Sequence, residues 1–493
     1  MVKITKEHWM VILLVLVVFG ARMYFVFQEE NLSYDAYYSL RQAEHIKQSG
    51  VPLFKDDLSY SGRTFITPPL FYYALAGVSF VFPLDIAAKL LPSIGFALLV
   101  LVIYLISKHI TKNKVASFIA AFFSGFVPIL FTTLNQVSVL SLSLPLIFLL
   151  SYTFLRIEEK GFATLSIVLS VILLLIHTSL FILLLAFLMY FLIITLEKHK
   201  ILVKEAEVSL FLLFLALWFY ILLYRKAFFT HGISFIWQNI PAHLLSNYFT
   251  ELSFISVIYA VGLIPLLLGV YAVYHVFFKT RNKAASLYIS FALISFIMLW
   301  FKLIPFKIGL LFLSMNLIIL SAYAIKMLRI SMSKAKISYL SKVGTALIII
   351  LFIITALTPF LSTLHPKTPP SQDIDALEWL KTNVKDDSVV LGRVEEGFLI
   401  NYAAEKKNVA DSNFLFMDNI NQRYEDVNHL YTLRLKSEAV RLINKYEIDY
   451  IFLSTNTMDA LHTDSLFYAD KDCFETIYDK DAVIYEFKGC KIE

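Results

Sequence analysis

Acidic and basic side chains stand where the chain leaves or enters its apolar segments. Asp35 and Arg41 follow the first apolar run, in the stretch NLSYDAYYSLRQAEHIKQSG. Glu251, in YFTELSF, precedes a later apolar run, and Lys307, in PFKIGL, opens another. A carboxylate in such a place can accept a proton from an acceptor hydroxyl or hold a divalent metal against a phosphate. A lysine or arginine can neutralise that phosphate.

A purely structural interpretation of Asp35 is also open. Ser33 or Asp35 can start the helix predicted for AYYSLRQAEHIKQSG by accepting a backbone N–H hydrogen bond at its N-terminus. In that case the carboxylate caps a helix and has no chemical role.

The elements that position these residues are membrane spans. Of the 493 residues, 58% are hydrophobic and only 16% are charged, whereas a soluble domain carries about 25% charged residues. The net charge of +5 comes mainly from loop lysines and arginines, so it indicates membrane orientation and not a nucleic-acid partner. Segments of spanning length predict about eleven spans, at 9–27, 86–107, 116–131, 137–155, 163–176, 178–196, 208–224, 254–278, 285–301, 305–327 and 343–361.

Basic clusters predict the orientation of these spans. They fall on every second loop, which places the N-terminus in the cytoplasm and the C-terminus outside the cell membrane. The apolar stretch TPPLFYYALAGVSFVFPL (67–84) would invert this order if it crossed. Its flanking prolines favour a re-entrant or interfacial helix in a first external loop at 28–85. Residues 1–361 then form the transmembrane domain.

The tail, 362–493, is predicted to be a soluble α/β domain outside the cell. A proline-rich linker, PKTPPSQD, precedes helical periodicity in DIDALEWLKTN and SEAVRLINKYE and buried strands in DSVVLG and YEIDYIFLS. CFETIYDKDAVIYEFKGC reads as a hairpin that turns at 479–481 and brings Cys473 and Cys490 together. An external compartment permits a disulfide there.

Several stretches carry a family resemblance over most of the chain. DAYYSLRQAEHI resembles the first-loop D-x-Y-Y-x-x-R motif of membrane glycosyltransferases with the GT-C fold, above all the catalytic subunit of archaeal oligosaccharyltransferase. TPPLFYYALAG, LPSIGFALLVLVIYLISKHI and the tail segment DALEWLKTNVKDDSVVLG are similar to segments that follow in that family. The resemblance implies a polytopic helical domain with a soluble α/β domain, and it implies that Asp35 binds the metal, Mn²⁺ or Mg²⁺.

The motifs that complete the family's site are altered here. The second external loop of the family carries a pair of acidic residues, whereas the matching TTLNQVSVLS has Asn135 and Gln136, which bind a hard dication more weakly. Glu251 stands where the family has a glutamate that touches the metal site and the acceptor. Lys307 stands on the helix where the family has an arginine facing the lipid diphosphate. The tail motif W-W-D-Y-G corresponds to GRVEEGF (392–398), in which only the glycine remains.

These residues together predict an oligosaccharyltransferase-like glycosyltransferase. It would move a sugar or glycan from a polyprenyl-phosphate-type lipid to a protein or glycolipid acceptor at the outer membrane face. Asp35 and Glu251 are the predicted catalytic residues, and Arg41, Lys307, Asn135 and Gln136 the predicted substrate-binding ones. Two alternatives stay open: a metal-independent polyprenyl-monophosphate-sugar transferase with Asp35 as base, and a non-catalytic paralogue that serves as scaffold or glycolipid-binding subunit.

Overall fold

A computed structural model describes residues 6–64, 66–334, 339–363 and 367–490. The region before the tail is almost wholly helical. Its elements are α1 (Lys6–Val26), α2 (Ala36–Ser49), β1 (Lys55–Asp56), β2 (Arg63–Thr64), α3 (Leu70–Val78), α4 (Leu84–Thr111), α5 (Lys114–Phe126), α6 (Pro128–Phe131), α7 (Leu140–Leu155), α8 (Phe162–Ile176), α9 (Leu180–Leu196), α10 (Val203–His231), α11 (Ala242–Tyr248), α12 (Phe254–Val261), α13 (Leu263–His275), α14 (Lys283–Trp300), α15 (Phe306–Ser333) and α16 (Leu340–Ser362).

The apolar helices account for the predicted spans. Eight helical segments of the described residues are long and apolar enough to cross a membrane, and α7, α8 and α9 are shorter apolar helices. The chain is therefore a multi-pass membrane protein. α15 lies at the centre of the bundle, with 94% of its most apolar window buried, whereas α16 and α10 lie at the periphery.

Two predicted spans are interrupted. The segment predicted at 254–278 breaks at Gly262, whose φ of +81° is a conformation that other residues rarely adopt, so α12 and α13 are separate helices. The segment predicted at 116–131 breaks at Val127, which is extended because Pro128 follows it. These breaks bring irregular backbone into the helical bundle.

The stretch predicted at 67–84 does not form a spanning helix. α3 has nine residues, or ~14 Å of helix, which is about half of the ~30 Å hydrocarbon core of a bilayer. After α3 the side chains of Phe80 and Val81 are 74% and 76% exposed, so this end of the first external loop presents apolar surface. The structure thus agrees with a helix that stays on one side of the membrane.

The tail contains a mixed five-stranded sheet with helices. Its elements are α17 (Ser371–Asn383), β3 (Val389–Leu391), α18 (Gly397–Leu399), β4 (Lys407–Asn408), α19 (Ile420–Leu430), α20 (Lys436–Lys445), β5 (Tyr450–Leu453), α21 (Thr455–Leu461), β6 (Phe474–Asp479) and β7 (Val483–Phe487). The strand order is β4-β3-β5-β7-β6. β3 is parallel to β4 and β5, and β7 is antiparallel to β5 and β6.

The predicted hairpin and its disulfide are confirmed. β6 and β7 pair antiparallel around a turn at 480–482, and Cys473 and Cys490 are bonded with their Cα atoms 5.4 Å apart. The helices and strands predicted for the tail also form, as α17, α20, β3 and β5.

The first external loop and the tail share one hydrophobic core. Leu40 of α2 and Leu75 of α3, both fully buried, belong to the same cluster as Val390 and Phe452 of the sheet. α2 is therefore fixed between the membrane helices and the α/β region, and Asp35, the residue that precedes it, lies at their junction.

Candidate functional site

Asp35 occupies the N-cap position of α2, but its side chain does not cap the helix. No side-chain capping hydrogen bond forms at this position. Instead, the Oδ1 atom of the exposed carboxylate accepts a hydrogen bond of 2.6 Å from the hydroxyl of Ser412, in the loop after β4. The structural interpretation as a helix cap is thus wrong, because the carboxylate faces the α/β region and keeps most of its lone pairs available.

Ser412 is held in place by its neighbour Asp411. The Asp411 carboxylate is fully buried and accepts hydrogen bonds from the Ser59 hydroxyl, at 2.5 Å, and from the Asn413 amide, at 3.0 Å. The Arg63 guanidinium lies 3.6 Å from it. Burial raises the pKa of the Asp411 carboxyl, while Arg63 and the hydrogen bonds oppose that shift. Residues 59–63 of the first external loop therefore tie the Ser412 loop to the membrane domain.

Asn135 and Gln136 lie in the second external loop, which packs against the start of α2. The Ser33 amide donates to the Asn135 carbonyl at 2.9 Å, and the Asn135 side-chain amide donates to the Asn31 carbonyl at 3.2 Å. Asn135 is 4% exposed, and its Oδ1 atom has no hydrogen-bond partner among the described residues. Asn135 thus supports the backbone that precedes Asp35.

An arginine that the sequence analysis did not single out fixes this second loop. Arg22 of α1 is 1% exposed and donates hydrogen bonds to the Leu130 carbonyl, at 2.8 Å, and to the Thr133 hydroxyl, at 3.2 Å. Its guanidinium also lies 4.6 Å from the centre of the Phe96 ring. Charged side chains inside a membrane protein are expensive unless paired with such polar groups, so Arg22 is the anchor between α1 and the loop that carries Asn135.

Tyr248 and Glu395 border the same region. The pKa of Tyr248 lies above its ordinary value, first because of burial and then because Asp35 and Glu395 place negative charge near its hydroxyl. Glu395 belongs to the GRVEEGF stretch of the tail, and Arg393 lies 3.7 Å from it. Asp35 and Glu395 of the tail motif therefore both lie near Tyr248, at the end of α11.

The structure does not join Glu251 or Lys307 to Asp35 through any hydrogen bond or ion pair of the described residues. Glu251 is 90% exposed, and its Oε1 atom lies 3.5 Å from the Lys302 ammonium. Lys307 is exposed in the first turn of α15. Their catalytic and phosphate-binding roles stay predictions, and Glu251 already has a cationic partner.

Arg41 also has a partner within the protein. Two of its guanidinium nitrogens donate to the two carboxylate oxygens of Asp56, at 2.6 and 2.7 Å, and the Asp56 side chain is 2% exposed. Asp56 lies on β1, although the sequence pattern around it is typical of a turn. The Arg41–Asp56 pair holds the β1–β2 hairpin against α2, which gives Arg41 a structural role beside its predicted contact with substrate.

Glu396 is a buried carboxyl group beside the candidate site. It is 3% exposed and accepts hydrogen bonds from the hydroxyls of Ser454 and Thr457. Burial, with a smaller contribution from Asp373, raises the pKa of Glu396 to about 7. The side chain of Tyr34, next to Asp35, contacts the same region by accepting a hydrogen bond from Asn456 at 2.7 Å.

The raised pKa of Glu396 predicts a pH-dependent stability. Its stabilising contribution is complete below the unfolded value of 4.5 and is lost as the pH rises through about 7. Glu396→Gln keeps the neutral form, so between pH 4.5 and 8 the variant should gain about 3 kcal/mol in free energy of unfolding relative to the parent. Thermal unfolding of both proteins in detergent measures this difference. Glu475→Gln, at an exposed acid paired with Lys488, is the control, and parallel pH profiles for Glu396→Gln and the parent would refute the prediction.

The side chains around Asp35 do not match the metal ion that the resemblance implies. Among the described residues, no group of three or more His, Cys, Asp or Glu side chains is arranged to hold a metal ion. The one side chain hydrogen-bonded to Asp35 among the described residues is the Ser412 hydroxyl, a weak ligand for Mn²⁺ or Mg²⁺. The described residues therefore do not form a complete metal site.

The arrangement of helices and sheet defines a class of fold. The structure has the GT-C fold of membrane glycosyltransferases, with a polytopic helical domain followed by a region that contains a sheet. No family model matches the chain, and no curated protein matches it in sequence.

Individual solved structures show the same fold. The apo oligosaccharyltransferase of Archaeoglobus fulgidus superposes with a TM-score of 0.71, at 16% identity, over 93% of this chain and 70% of that chain. The AglB protein of that organism, in complex with an inhibitory peptide and a dolichol-phosphate, gives 0.71 at 15% identity, over 92% and 70%. ArnT from Cupriavidus metallidurans, bound to undecaprenyl phosphate, gives 0.58 at 12% identity, over 98% of both chains. At these identities the likeness establishes the fold alone.

Proposed function

We propose that the chain is a glycosyltransferase that moves a sugar or glycan from a polyprenyl-phosphate-type lipid to an acceptor at the outer membrane face. The observation that carries the proposal is the uncapped, exposed carboxylate of Asp35, which accepts a hydrogen bond from a hydroxyl across the junction of the two regions. An acceptor hydroxyl or amide in the place of Ser412 would meet the same oxygen. The similar structures, solved with dolichol-phosphate or undecaprenyl phosphate, support a lipid phosphate as leaving group.

The reaction requires few chemical groups from the protein itself. The acceptor's oxygen or nitrogen forms a bond to the anomeric carbon while the bond from that carbon to the phosphate oxygen breaks. The acceptor's proton passes to Asp35, and the lipid phosphate leaves with the bonding electrons. Holding both substrates in line and neutralising the phosphate then supply most of the rate enhancement. Lys307 and Arg41 are the cations proposed for the phosphate.

Turnover by the purified protein tests this function. A polyprenyl-phosphate-linked sugar and a peptide or glycolipid acceptor are incubated with the protein in detergent, with added Mn²⁺, with added Mg²⁺, and with a chelator. Release of free polyprenyl phosphate supports the proposal. Activity that survives chelation assigns Asp35 the role of base, whereas activity that needs added metal assigns Asp35 to the binding of that ion. One similar oligosaccharyltransferase structure was solved with zinc and sulfate. Donor binding without turnover in all three conditions would leave the scaffold interpretation.

We propose the orientation that the basic loops predict, with a cytoplasmic N-terminus and the sheet region outside. Because both native cysteines are paired, a single introduced cysteine is the one free thiol of the described residues. Thr382→Cys should react with a membrane-impermeant maleimide in intact cells, whereas Lys112→Cys should react only after permeabilisation. Equal labelling of both from one side would overturn the orientation.

A further inference from the structure

A groove separate from Asp35 lies where α2 meets the tail. It has a volume of about 430 Å³ and lies between α2, α17 and the π-helical turn Ile400–Ala404. Neither Asp35 nor Ser412 lines it. The side chains that matter for its chemistry are Tyr37, Glu44, Glu378, Lys381, Tyr402 and Glu405.

The groove carries excess negative charge. Lys381 is paired with Glu405 at 2.8 Å, whereas no ion pair among the described residues includes Glu44 or Glu378. The pKa of Tyr402 is raised, first by burial and then by the charges of Asp85, Glu44 and Glu378. Of these carboxylates, Glu44 and Glu378 line the groove together with Tyr402. The pKa of Lys381 is raised, chiefly by Glu405, with contributions from Glu44 and Glu378.

Tyr37 adds a polar group without a partner. This residue is 6% exposed, and its hydroxyl makes no hydrogen bond to any other described residue. The hydroxyl oxygen itself is not buried, so it is open to the solvent that fills the groove and to a polar atom of a ligand. Tyr37 lines the groove, and its ring lies 5.5 Å from that of Tyr402, centre to centre. A ligand in the groove would contact two aromatic rings and a free hydroxyl.

We propose that this groove binds a ligand that carries a primary ammonium group. The ammonium lies between Glu44 and Glu378 and over the tyrosine rings, and the Tyr37 hydroxyl contacts a polar atom of the ligand. A cation is attracted both by carboxylates and by the faces of aromatic rings. The groove volume lies within the usual range for small-molecule sites. An amino sugar and a lysine side chain both carry such an ammonium group. The binding does not depend on the role of Asp35.

Binding to the full-length protein in detergent tests the proposal with matched charged and neutral probes. Glucosamine is compared with N-acetylglucosamine, and a blocked lysine is compared with the same lysine acetylated at Nζ, by calorimetric titration. At least one amine should bind about tenfold more tightly than its acetylated form, and the tighter amine identifies the carrier. Equal affinity within both pairs, or no saturable binding of either amine, would overturn the proposal.

Substitutions locate the binding in the groove. Glu44→Gln combined with Glu378→Gln should weaken the amine about tenfold, and Tyr37→Phe should weaken it less, because one hydroxyl is removed and the ring stays. Glu425→Gln is the matched control, because Glu425 lies beside His243 in a separate cavity of about 490 Å³. The thermal unfolding midpoint of each variant confirms folding. Undiminished binding by the Glu44, Glu378 double variant would also overturn the proposal.

Discussion

Asp411→Ala should lower the free energy of unfolding by about 3–5 kcal/mol, because it removes one partner of a buried charged network. The Asp411 side chain has no exposed area and meets Ser59, Asn413 and Arg63. Without the carboxylate, Arg63 keeps its charge in a site where only 3% of its side chain is exposed. The thermal unfolding midpoint in detergent measures the loss.

Asp411→Ala should also reduce activity at the candidate site. Asp411 fixes the loop whose next residue, Ser412, contacts Asp35, so Asp411→Ala should lower sugar transfer under conditions where the protein is still folded. Asp411→Asn, which keeps hydrogen-bonding atoms but loses the charge, should be intermediate. Asp418→Ala is the control, since Asp418 is exposed in the same loop region. A stability of Asp411→Ala equal to that of Asp418→Ala would contradict the role assigned to this network.

The membrane fold could be predicted because it depends on length and composition. A run of about 20 apolar residues has few stable conformations in lipid other than a helix. The hairpin of the tail could also be predicted, because its turn and its two cysteines are close together in the sequence. The break at Gly262 was missed because hydropathy measures how apolar a segment is and carries no information about backbone angles such as the positive φ of this residue.

The surroundings of Asp35 could not be predicted in the same way. The motif DAYYSLR marked Asp35, but Ser412 is 377 residues away in the sequence. No periodicity relates two such segments, because their contact arises from the packing of the tail on the first external loop. The partner of Arg41 could not be predicted either. The helical pattern placed Arg41 on α2, but its bidentate pairing with Asp56 depends on the β1–β2 hairpin, and the sequence around Asp56 indicated only a turn.

Arg22 and Glu396 were missed for a different reason. Arg22 lies within the span predicted at 9–27, and the sequence assigned it no role, yet it is buried and donates a hydrogen bond to the Leu130 carbonyl. Glu396 lies in a stretch that has lost most of the family's motif, so its neighbours gave no signal of burial. In both cases the environment of the charge, and not its position in the sequence, decides its role.

Asp35→Asn measures the central claim most directly. Asparagine is nearly the same size and still accepts the Ser412 hydrogen bond, but it cannot take up the acceptor's proton and binds a divalent ion more weakly. The expected loss of transfer from a polyprenyl-phosphate-linked sugar is at least about 100-fold. Folding should be unaffected, because exposed substitutions usually change stability by less than about 0.5 kcal/mol.

The measurement is the initial rate of polyprenyl phosphate release by the purified parent, Asp35→Asn and Asp57→Asn, under the metal condition in which the parent is most active. Asp57 is the matched control, an exposed aspartate of the same external loop whose side chain is 75% exposed. The account predicts that Asp57→Asn keeps the parent's rate while Asp35→Asn loses it, with equal unfolding midpoints for all three proteins. A full rate for Asp35→Asn would contradict the assignment of sugar transfer to this carboxylate.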